Sequence, residues 1–242
     1  MPSGSLEVKT ILVVSLTNVG DVILSFPVLD ALKNAFPQAQ LSVVVGPKAA
    51  SLLEGNPHIH QLYIFDKRQR FLEKFFWIRE LRKTRYDLVI DLRNSMIPYL
   101  IRARDRTPPS MGPGERQHRR AKHLERLRSV FNFEGESPNR YALFITEEDK
   151  RFVGDLLKGC GLQDREKFFV VSPGAANHIK RWTPEGFAQI CDRLIESEKV
   201  RVILVGDQKD EAVSSDVCRL MRHEAVNLSG RTTLRQLAEL LR

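Results

Sequence analysis

Short hydrophobic runs alternate along this chain with longer stretches in which apolar residues recur at helical spacing. In the first half, strands are predicted at residues 10–15, 41–45, 61–65 and 87–92. Helices are predicted at residues 21–36, 49–53, 70–85 and 119–131. The strand segments are nearly continuous apolar runs rather than polar–apolar alternations, which is typical of parallel strands buried on both faces.

A second alternating series occupies the end of the chain. A helix that starts at Thr146, with acidic residues in its first turn, precedes this series. Strands are predicted at residues 168–171, 200–205 and 225–228, and helices at 184–195, at 210–221 and after a cap at Thr232 or Thr233. Regular alternation of this kind predicts α/β folding with parallel sheets and right-handed crossovers.

The pattern is interrupted between about residues 106 and 166, where prolines and glycines mark a loop at 107–114. We therefore expect two α/β domains: an N-terminal domain at 1–145, a linker with a connecting helix at 146–166, and a C-terminal domain at 167–242. A length of 242 residues is sufficient for two domains of ordinary size.

Composition narrows the class of protein. At 42% hydrophobic and 28% charged residues, the chain has ordinary globular composition. No apolar run approaches the ~20 residues of a membrane-spanning helix, and no secretory signal is recognisable. The three cysteines, Cys160, Cys191 and Cys218, are odd in number and widely spaced. They argue against a disulfide framework or a zinc site and favour a cytoplasmic protein.

The net charge of +8 is concentrated. Residues 102–128 hold nine Lys and Arg against three Asp and Glu, a net of +6. One interpretation is a solvated helix face beside a loop. The other is a site for an anionic partner, such as nucleic acid, a lipid surface or a phosphorylated substrate. Aromatic residues are absent from the segment, which disfavours stacking on single-stranded bases.

Ligands of open parallel sheets bind beyond the carboxyl ends of the strands, and that rule selects two turns. The first, residues 15–21, contains neither a Gly-x-Gly-x-x-Gly fingerprint nor a Walker loop. Gly20 permits close approach of backbone to a ligand, and Asp21 lies near a helix start, where the dipole favours its ionised form. Asp21 is either a helix cap or a functional carboxylate.

The second turn comprises residues 172–182. Gly174 lets the backbone approach a ligand, and backbone amides with a nearby Lys suit a phosphate group. Thr183 is predicted to cap the next helix with Pro184 at its first position, and Trp182 is assigned to packing rather than to stacking on a ligand.

Together these turns resemble glycosyltransferase family 9, the ADP-heptose:lipopolysaccharide heptosyltransferases. The resemblance rests on ILVV at 11–14, TNVGDVILSFPVL at 17–29, SPGA at 172–175, KRW at 180–182 and PEGF at 184–187. It continues with VILVG at 202–206, NLSG at 227–230 and TLRQLA at 233–238. Singly these segments are weak signals, but their joint order and spacing along nearly the whole chain is specific.

The resemblance implies two Rossmann-like, doubly wound domains in the GT-B arrangement, and an inverting sugar transfer from an ADP-sugar without metal or cofactor. Asp21 matches the general base and Lys180 the residue that stabilises the departing diphosphate. Donor and phosphate contacts are expected from Thr17, Asn18, Gly20, Pro173, Gly174 and Ala175. Contacts to an anionic glycolipid acceptor at the inner face of the cytoplasmic membrane are expected from Arg116, Arg119, Arg120 and Lys122.

The chain departs from the family pattern at one point. The family continues after the last helix with a strand and a donor-binding loop of the type Asp-Ser/Thr-Gly-Pro-x-His, whereas this sequence ends at Arg242. The expectation is therefore a truncated second domain. The alternative function is a non-catalytic fragment that binds acceptor or diphosphate without turnover. A nucleic-acid-binding protein, based on charge alone, and a nicotinamide-dependent enzyme, based on alternation alone, are the remaining alternatives.

Overall fold

The fold is described from a computed structural model that covers residues 7–15, 17–109, 118–133, 140–163, 166–175 and 177–242. The chain divides into two compact units, Met1–Phe144 and Ile145–Arg242. Each unit is built on a parallel sheet, so the mixed α/β class expected from the sequence is confirmed.

The first unit contains a five-stranded sheet. Its strands are β1 (Thr10–Val14), β2 (Gln40–Val45), β3 (Gln61–Ile64), β4 (Tyr86–Asp91) and β5 (Ala103–Arg106). They are parallel and lie in the order β3-β2-β1-β4-β5. The order reverses between β1 and β4, which is the switch point where doubly wound sheets bind ligands.

Within the described residues of the first unit, six helices lie between or after these strands. They are α1 (Val19–Ile23), α2 (Phe26–Ala35), α3 (Ala50–Leu53), α4 (Phe71–Leu81), α5 (Ile97–Leu100) and α6 (Arg119–Arg128), with a 3-10 turn at Pro47–Ala49. Leu12, Val14 and Val89 of the central strands are fully buried. Their burial explains the continuous apolar runs of these segments.

The single helix predicted at residues 21–36 is wrong, because the chain breaks there into α1 and α2. Pro27 lies in the first turn of α2 and has no amide proton for a continuous helix. The hydroxyl of Ser25, at the break, donates to the Val22 carbonyl at 2.7 Å and lies 2.9 Å from the Ser15 hydroxyl. These hydrogen bonds hold the Ser25 side chain inward at the break, where it is fully buried.

Strand β5 was not predicted from the sequence. Its residues, Ala-Arg-Asp-Arg, lack a hydrophobic run. The strand lies at the edge of the sheet and pairs only with β4 among the described strands. Charged side chains are tolerated at such an edge because one side of the strand faces solvent.

The second unit contains a three-stranded parallel sheet in the order β6-β7-β8. The strands are β6 (Phe168–Val171), β7 (Arg201–Leu204) and β8 (Val226–Asn227). The helices are α7 (Glu147–Gly159), α8 (Pro184–Glu198), α9 (Glu211–Leu220) and α10 (Leu234–Leu240), with 3-10 turns at His178–Lys180 and Gln208–Asp210.

Three threonines begin helices of this unit. The Thr146 and Thr183 hydroxyls accept hydrogen bonds from the amides of the third helical residues, and Thr233, not Thr232, does the same for α10. The caps expected at Thr146 and Thr183 are therefore confirmed. Helix α7, expected in a connecting segment, packs within the second unit, where the Asp149 carboxylate lies 3.1 Å from Arg235 of α10.

The three cysteines are free thiols. Cys191 is fully buried in the core between α8, α9 and β7, and burial raises its pKa to about 11. A thiol in this state is a packing group rather than a nucleophile. Of the helices that the structure describes, none has the length and apolar character needed to cross a membrane.

Candidate active site

Asp21 lies at the carboxyl edge of the first sheet, in the helix that follows β1. Helix α1 begins at Val19, and Asn18 occupies the cap position. Asp21 is therefore the third residue of the helix, and the interpretation of Asp21 as a helix cap is wrong. It lies in the first turn, near the positive end of the helix dipole.

The Asp21 carboxylate is held by two polar neighbours. Its Oδ1 lies 3.1 Å from the Arg119 guanidinium, and its Oδ2 accepts a hydrogen bond of 3.3 Å from the side-chain amide (Nδ2) of Asn18. The Asp21 side chain is 20% exposed, whereas Arg119 is 61% exposed. The carboxylate is thus mostly shielded from solvent, whereas its cationic partner is largely exposed.

Arg126 anchors α6 beside this edge of the sheet. Its Nε donates to the Asp91 carbonyl at 2.6 Å, and its Nη2 donates to the Pro108 carbonyl at 3.2 Å. Arg119 is seven residues earlier and therefore lies on the same helix face. The bond from Arg126 to Asp91 at the end of β4 thus holds helix α6, which carries Arg119, beside Asp21.

The carboxylate of Asp91 is almost completely buried at the end of β4. Burial raises its pKa above the ordinary value, although hydrogen bonds from the amides of Arg93 and Ser95 act in the opposite direction. The Asp91 amide in turn donates to the Thr107 hydroxyl at 2.9 Å. Asp91 therefore organises the loop after β4, and its role is structural.

His123 lies on the same face of α6 and is only 5% exposed. Neither ring nitrogen has a hydrogen-bond partner among the described residues. Burial lowers its pKa, as do the nearby charges of Arg119 and Arg126, whereas Asp21 raises it. These surroundings therefore favour the neutral form of the His123 imidazole. The sequence pattern did not single it out, because a histidine within a basic helix resembles its neighbours.

The remaining predicted residues of the first unit differ in their surroundings. A Cβ atom added to Gly46 would lie 2.8 Å from Thr17 Cα, so Thr17 packs against the loop after β2. A Cβ atom on Gly20 would meet nothing within 4 Å. Gly20 is thus not required by packing, and open space lies beside it. Arg120 and Lys122 are half-buried in the first turn of α6, whereas Arg116 lies outside the described residues.

A second cluster of the predicted residues follows β6, within the second unit. Pro173 is buried, and the amides of Gly174 and Ala175 donate no hydrogen bond to any other described residue. Two successive amides in a loop at the carboxyl end of a strand are suited to bind the oxygens of a phosphate group.

Asp210 lies directly against this loop, which the sequence did not reveal. A Cβ atom on Gly174 would be 2.0 Å from Asp210 Cγ, and one on Gly206 would be 2.6 Å from Asp210 Cβ. The Asp210 carboxylate also accepts a hydrogen bond from the Asp207 amide at 3.1 Å. The two glycines after β6 and β7 are the only signal in the sequence, since each leaves room for a neighbour.

Two basic residues lie close to this loop in the chain. Arg181 donates to the Ala175 carbonyl at 3.0 Å, and its guanidinium is 4.0 Å from the Asp210 carboxylate. The Lys180 ammonium is exposed and makes no ion pair with another described residue. The structure therefore leaves Lys180 available for a ligand and gives Arg181 a role in holding the loop.

Trp182 packs against its own turn, although it remains 53% exposed. Its ring contacts Phe187 edge to face, with 5.3 Å between ring centroids. A Cβ atom on Gly186 would lie 2.5 Å from the indole, so only glycine leaves room for the ring. The Trp-x-x-x-Gly-Phe spacing thus fixes the turn from the 3-10 segment into α8.

Within the described ranges, no group of three or more His, Cys, Asp or Glu side chains could hold a metal ion. Asp21, Asn18, Arg119 and His123 come together in the first unit. Gly174, Ala175, Arg181 and Asp210 come together in the second.

Comparison with known proteins identifies the family. The sequence model of glycosyltransferase family 9 (heptosyltransferase) matches residues 75–242. Lipopolysaccharide core heptosyltransferase OpsX of Haemophilus influenzae is 20% identical over 260 residues, covering 100% of this chain and 73% of that protein. Lipopolysaccharide heptosyltransferase 3 of Escherichia coli K12 is 26% identical over 247 residues, covering 92% and 71%.

Solved structures agree with this assignment at the level of the fold. A glycosyl transferase family 9 structure from Veillonella parvula superposes with a TM-score of 0.82 at 22% identity, covering 98% of this chain and 73% of that one. Escherichia coli heptosyltransferase WaaC with ADP superposes with a TM-score of 0.71 at 16% identity, covering 96% and 78%. The chain belongs to glycosyltransferase family 9, the heptosyltransferase family.

Proposed function

We propose that this protein transfers a heptose from an ADP-sugar to the inner core of lipopolysaccharide, with inversion at the anomeric carbon and without a metal ion. The observation that carries the proposal is the shielded Asp21 carboxylate, held by Arg119 at the carboxyl edge of the first sheet. The names of relatives support the substrates: two are heptosyltransferases of lipopolysaccharide, and one solved neighbour contains ADP.

Asp21 is the proposed general base. It accepts the proton of an acceptor hydroxyl while that oxygen forms a bond to the anomeric carbon of the donor. The bond from the anomeric carbon to the diphosphate oxygen breaks, and its electron pair leaves with the diphosphate. One displacement from the face opposite the leaving group inverts the anomeric centre, so no second carboxylate is needed as a nucleophile.

The leaving diphosphate is assigned to the second unit. The amides of Gly174 and Ala175 are available to its oxygens, and the exposed Lys180 ammonium can approach it. These groups supply hydrogen bonds and positive charge where negative charge develops. Asp210 cannot serve the phosphates, because it is itself anionic. It suits the ribose hydroxyls of the nucleotide, which carboxylates accept at this edge of Rossmann-like units.

The acceptor is assigned to the first turns of α6. Arg119, Arg120 and Lys122 place three cations there without an acid in the first turn. Carboxylate or phosphate groups of a lipopolysaccharide core complement this charge.

A transfer assay with ADP-heptose and a core acceptor tests the proposal. Asp21→Asn keeps the size of the side chain but removes the base, and we expect kcat to fall by about 10²–10⁴-fold. Asp105→Asn is the matched control, since Asp105 is also paired with an arginine of the first unit but lies in the edge strand β5. Full activity of Asp21→Asn would show that Asp21 is not the base.

Donor recognition is tested separately by calorimetric titration. ADP-heptose should bind more weakly to Lys180→Ala and to Asp210→Ala than to the unchanged chain, and Lys180→Arg should retain part of the affinity. Tight donor binding without any transfer would favour the alternative of a non-catalytic binding protein. An anomeric configuration retained in the product would contradict the single displacement.

A further inference from the structure

Helix α4 exposes an unusual number of large apolar side chains. Phe71 is 82% exposed, Leu72 68%, Phe75 58% and Phe76 61%. Scattered exposed apolar residues are normal, but four within six residues form a contiguous patch. We define the α4 patch as these four residues.

The α4 patch is not required for the core of the unit. Helix α4 packs inward through Trp77, Ile78 and the fully buried Leu81. The Trp77 ring lies 4.9 Å from the Phe65 ring at the end of β3. The helix is therefore already anchored through one face, while its opposite face presents aromatic rings to solvent.

Basic residues surround the α4 patch. Residues 66–85 hold eight Lys and Arg against three Asp and Glu, a net of +5. Arg79, Arg82 and Lys83 continue the exposed stripe toward the end of the helix. An exposed apolar stripe with cations beside it is the pattern of helices that lie in the interface of an anionic membrane.

The topology places the α4 patch at the edge of the sheet that carries Asp21. Strands β3 and β4 are parallel members of one sheet, so the connection that contains α4 returns from the carboxyl edge to the amino edge. The first turns of α4, which hold the patch, are therefore nearest the carboxyl edge. Helix α5 begins at this edge as well and adds Met96, Tyr99 and Leu100, which are 67%, 44% and 48% exposed.

We infer that the α4 patch inserts into the headgroup region of an anionic phospholipid bilayer while the surrounding cations contact lipid phosphates. The inference rests on the proposed function for its purpose, since a glycolipid acceptor is presented at a membrane surface. The occupant is a bilayer rather than a protein because apolar rings and a cationic border together complement acyl chains and anionic headgroups.

Vesicle flotation with the full chain tests this inference. Vesicles of phosphatidylcholine with phosphatidylglycerol should bind the protein, whereas phosphatidylcholine alone should bind it weakly. The double variant Phe75→Ser/Phe76→Ser should lose about tenfold or more of its partitioning for each ring removed. Phe152→Ser, a partly exposed Phe on α7 of the second unit, is the control and should bind as the unchanged protein does.

Substitutions that remove positive charge test the electrostatic contribution to membrane binding. Arg79→Gln/Arg82→Gln should reduce binding to anionic vesicles by about fivefold per cation, and added salt should reduce it further. Arg151→Gln/Arg193→Gln makes the same change in net charge on the second unit and should leave binding unchanged. An equal loss of vesicle binding in the two double variants would show that the arginines of α4 have no special role in membrane binding.

The variants should fold normally, because the altered side chains are exposed. Circular dichroism of each variant checks that it is folded. Failure of the unchanged protein to bind anionic vesicles would overturn the inference. So would a dimer in sedimentation equilibrium that the phenylalanine variant abolishes, since the α4 patch would then be a protein interface.

A transfer assay separates this inference from the proposed function. The phenylalanine variant should retain activity on a water-soluble acceptor without acyl chains and lose it on the same acceptor embedded in vesicles. Vesicle binding without transfer to either acceptor would refute the proposed function and leave the membrane surface standing. Equal activity of the variant on both acceptors would refute the membrane surface alone.

Discussion

Replacing Gly206 or Gly174 by alanine tests whether Asp210 is wedged between the loops that follow β6 and β7. An alanine Cβ at position 206 would lie 2.6 Å from Asp210 Cβ, about 0.8 Å inside the 3.4 Å at which ordinary contact begins. Asp210 Cβ is fixed to the backbone of the turn Gln208–Asp210, so that turn must move. Overpacking of this kind costs about 1–3 kcal/mol in free energy of unfolding.

The same change at Gly174 should act differently. The alanine Cβ would meet Asp210 Cγ at 2.0 Å, but rotation of the carboxylate can relieve that contact. The stability loss should therefore be smaller, and displacement of the carboxylate should weaken the proposed donor binding. Rotation also breaks the hydrogen bond from the Asp207 amide. We therefore expect the free energy of unfolding to fall by about 0.5–1.5 kcal/mol, the contribution of one such bond.

Double variants that combine each glycine substitution with Asp210→Ala test the position of the Asp210 side chain. Asp210→Ala removes Cγ but keeps Cβ, so it should rescue the stability of Gly174→Ala and not that of Gly206→Ala. Urea denaturation followed by circular dichroism measures the four free energies of each cycle. If Asp210→Ala rescued both variants equally, or if Gly206→Ala cost nothing, Asp210 would not occupy the position described.

Three further predictions concern stability, each measured by urea denaturation. Gly154→Ala should stabilise the protein by about 0.5–1 kcal/mol, because Gly154 lies inside α7 and an added Cβ meets nothing within 4 Å. Leu204→Ala should cost about 2–5 kcal/mol, because Leu204 is fully buried in β7; no loss would contradict that burial. Asp192→Ala should cost about 1–3 kcal/mol at pH 7, because it removes the buried carboxylate that accepts hydrogen bonds from the part-buried amides of Arg222 and His223. Burial raises the pKa of Asp192, but these hydrogen bonds outweigh it and lower the pKa below its ordinary value. The stability that Asp192 contributes is therefore present above its unfolded pKa and lost as the pH falls through its folded pKa. The difference in free energy of unfolding between Asp192→Ala and the unchanged protein should accordingly shrink at acid pH. A difference that is independent of pH would contradict this.

Local chemistry explains which elements could be predicted. Caps at Thr146 and Thr183 depend on residues three positions apart, and buried parallel strands depend on unbroken apolar runs. Both signals are contained in short segments. The break between α1 and α2 was missed although Pro27 marks it, because the helical spacing of apolar residues continues across Ser25.

The candidate site could be predicted only in part. The two turns were identified because they follow apolar strands, and Asp21, Gly174 and Lys180 lie in them or near them. Asp210 was not identified, because an acid one turn after a strand has many ordinary roles. Only its position against Gly174 and Gly206 shows that it lies beside the loops after β6 and β7.

The amino-acid sequence was sufficient to predict the α/β class, the two turns and, through their joint spacing, the family. Contacts between residues far apart in the chain could be found only from the folded structure. Asp21 and Arg119 are separated by 98 positions and are joined because Arg126 ties α6 to the end of β4. The folded structure also decided that the phenylalanines of α4 face solvent. A helical pattern records which residues share a face, but burial of that face depends on what the rest of the chain packs against it.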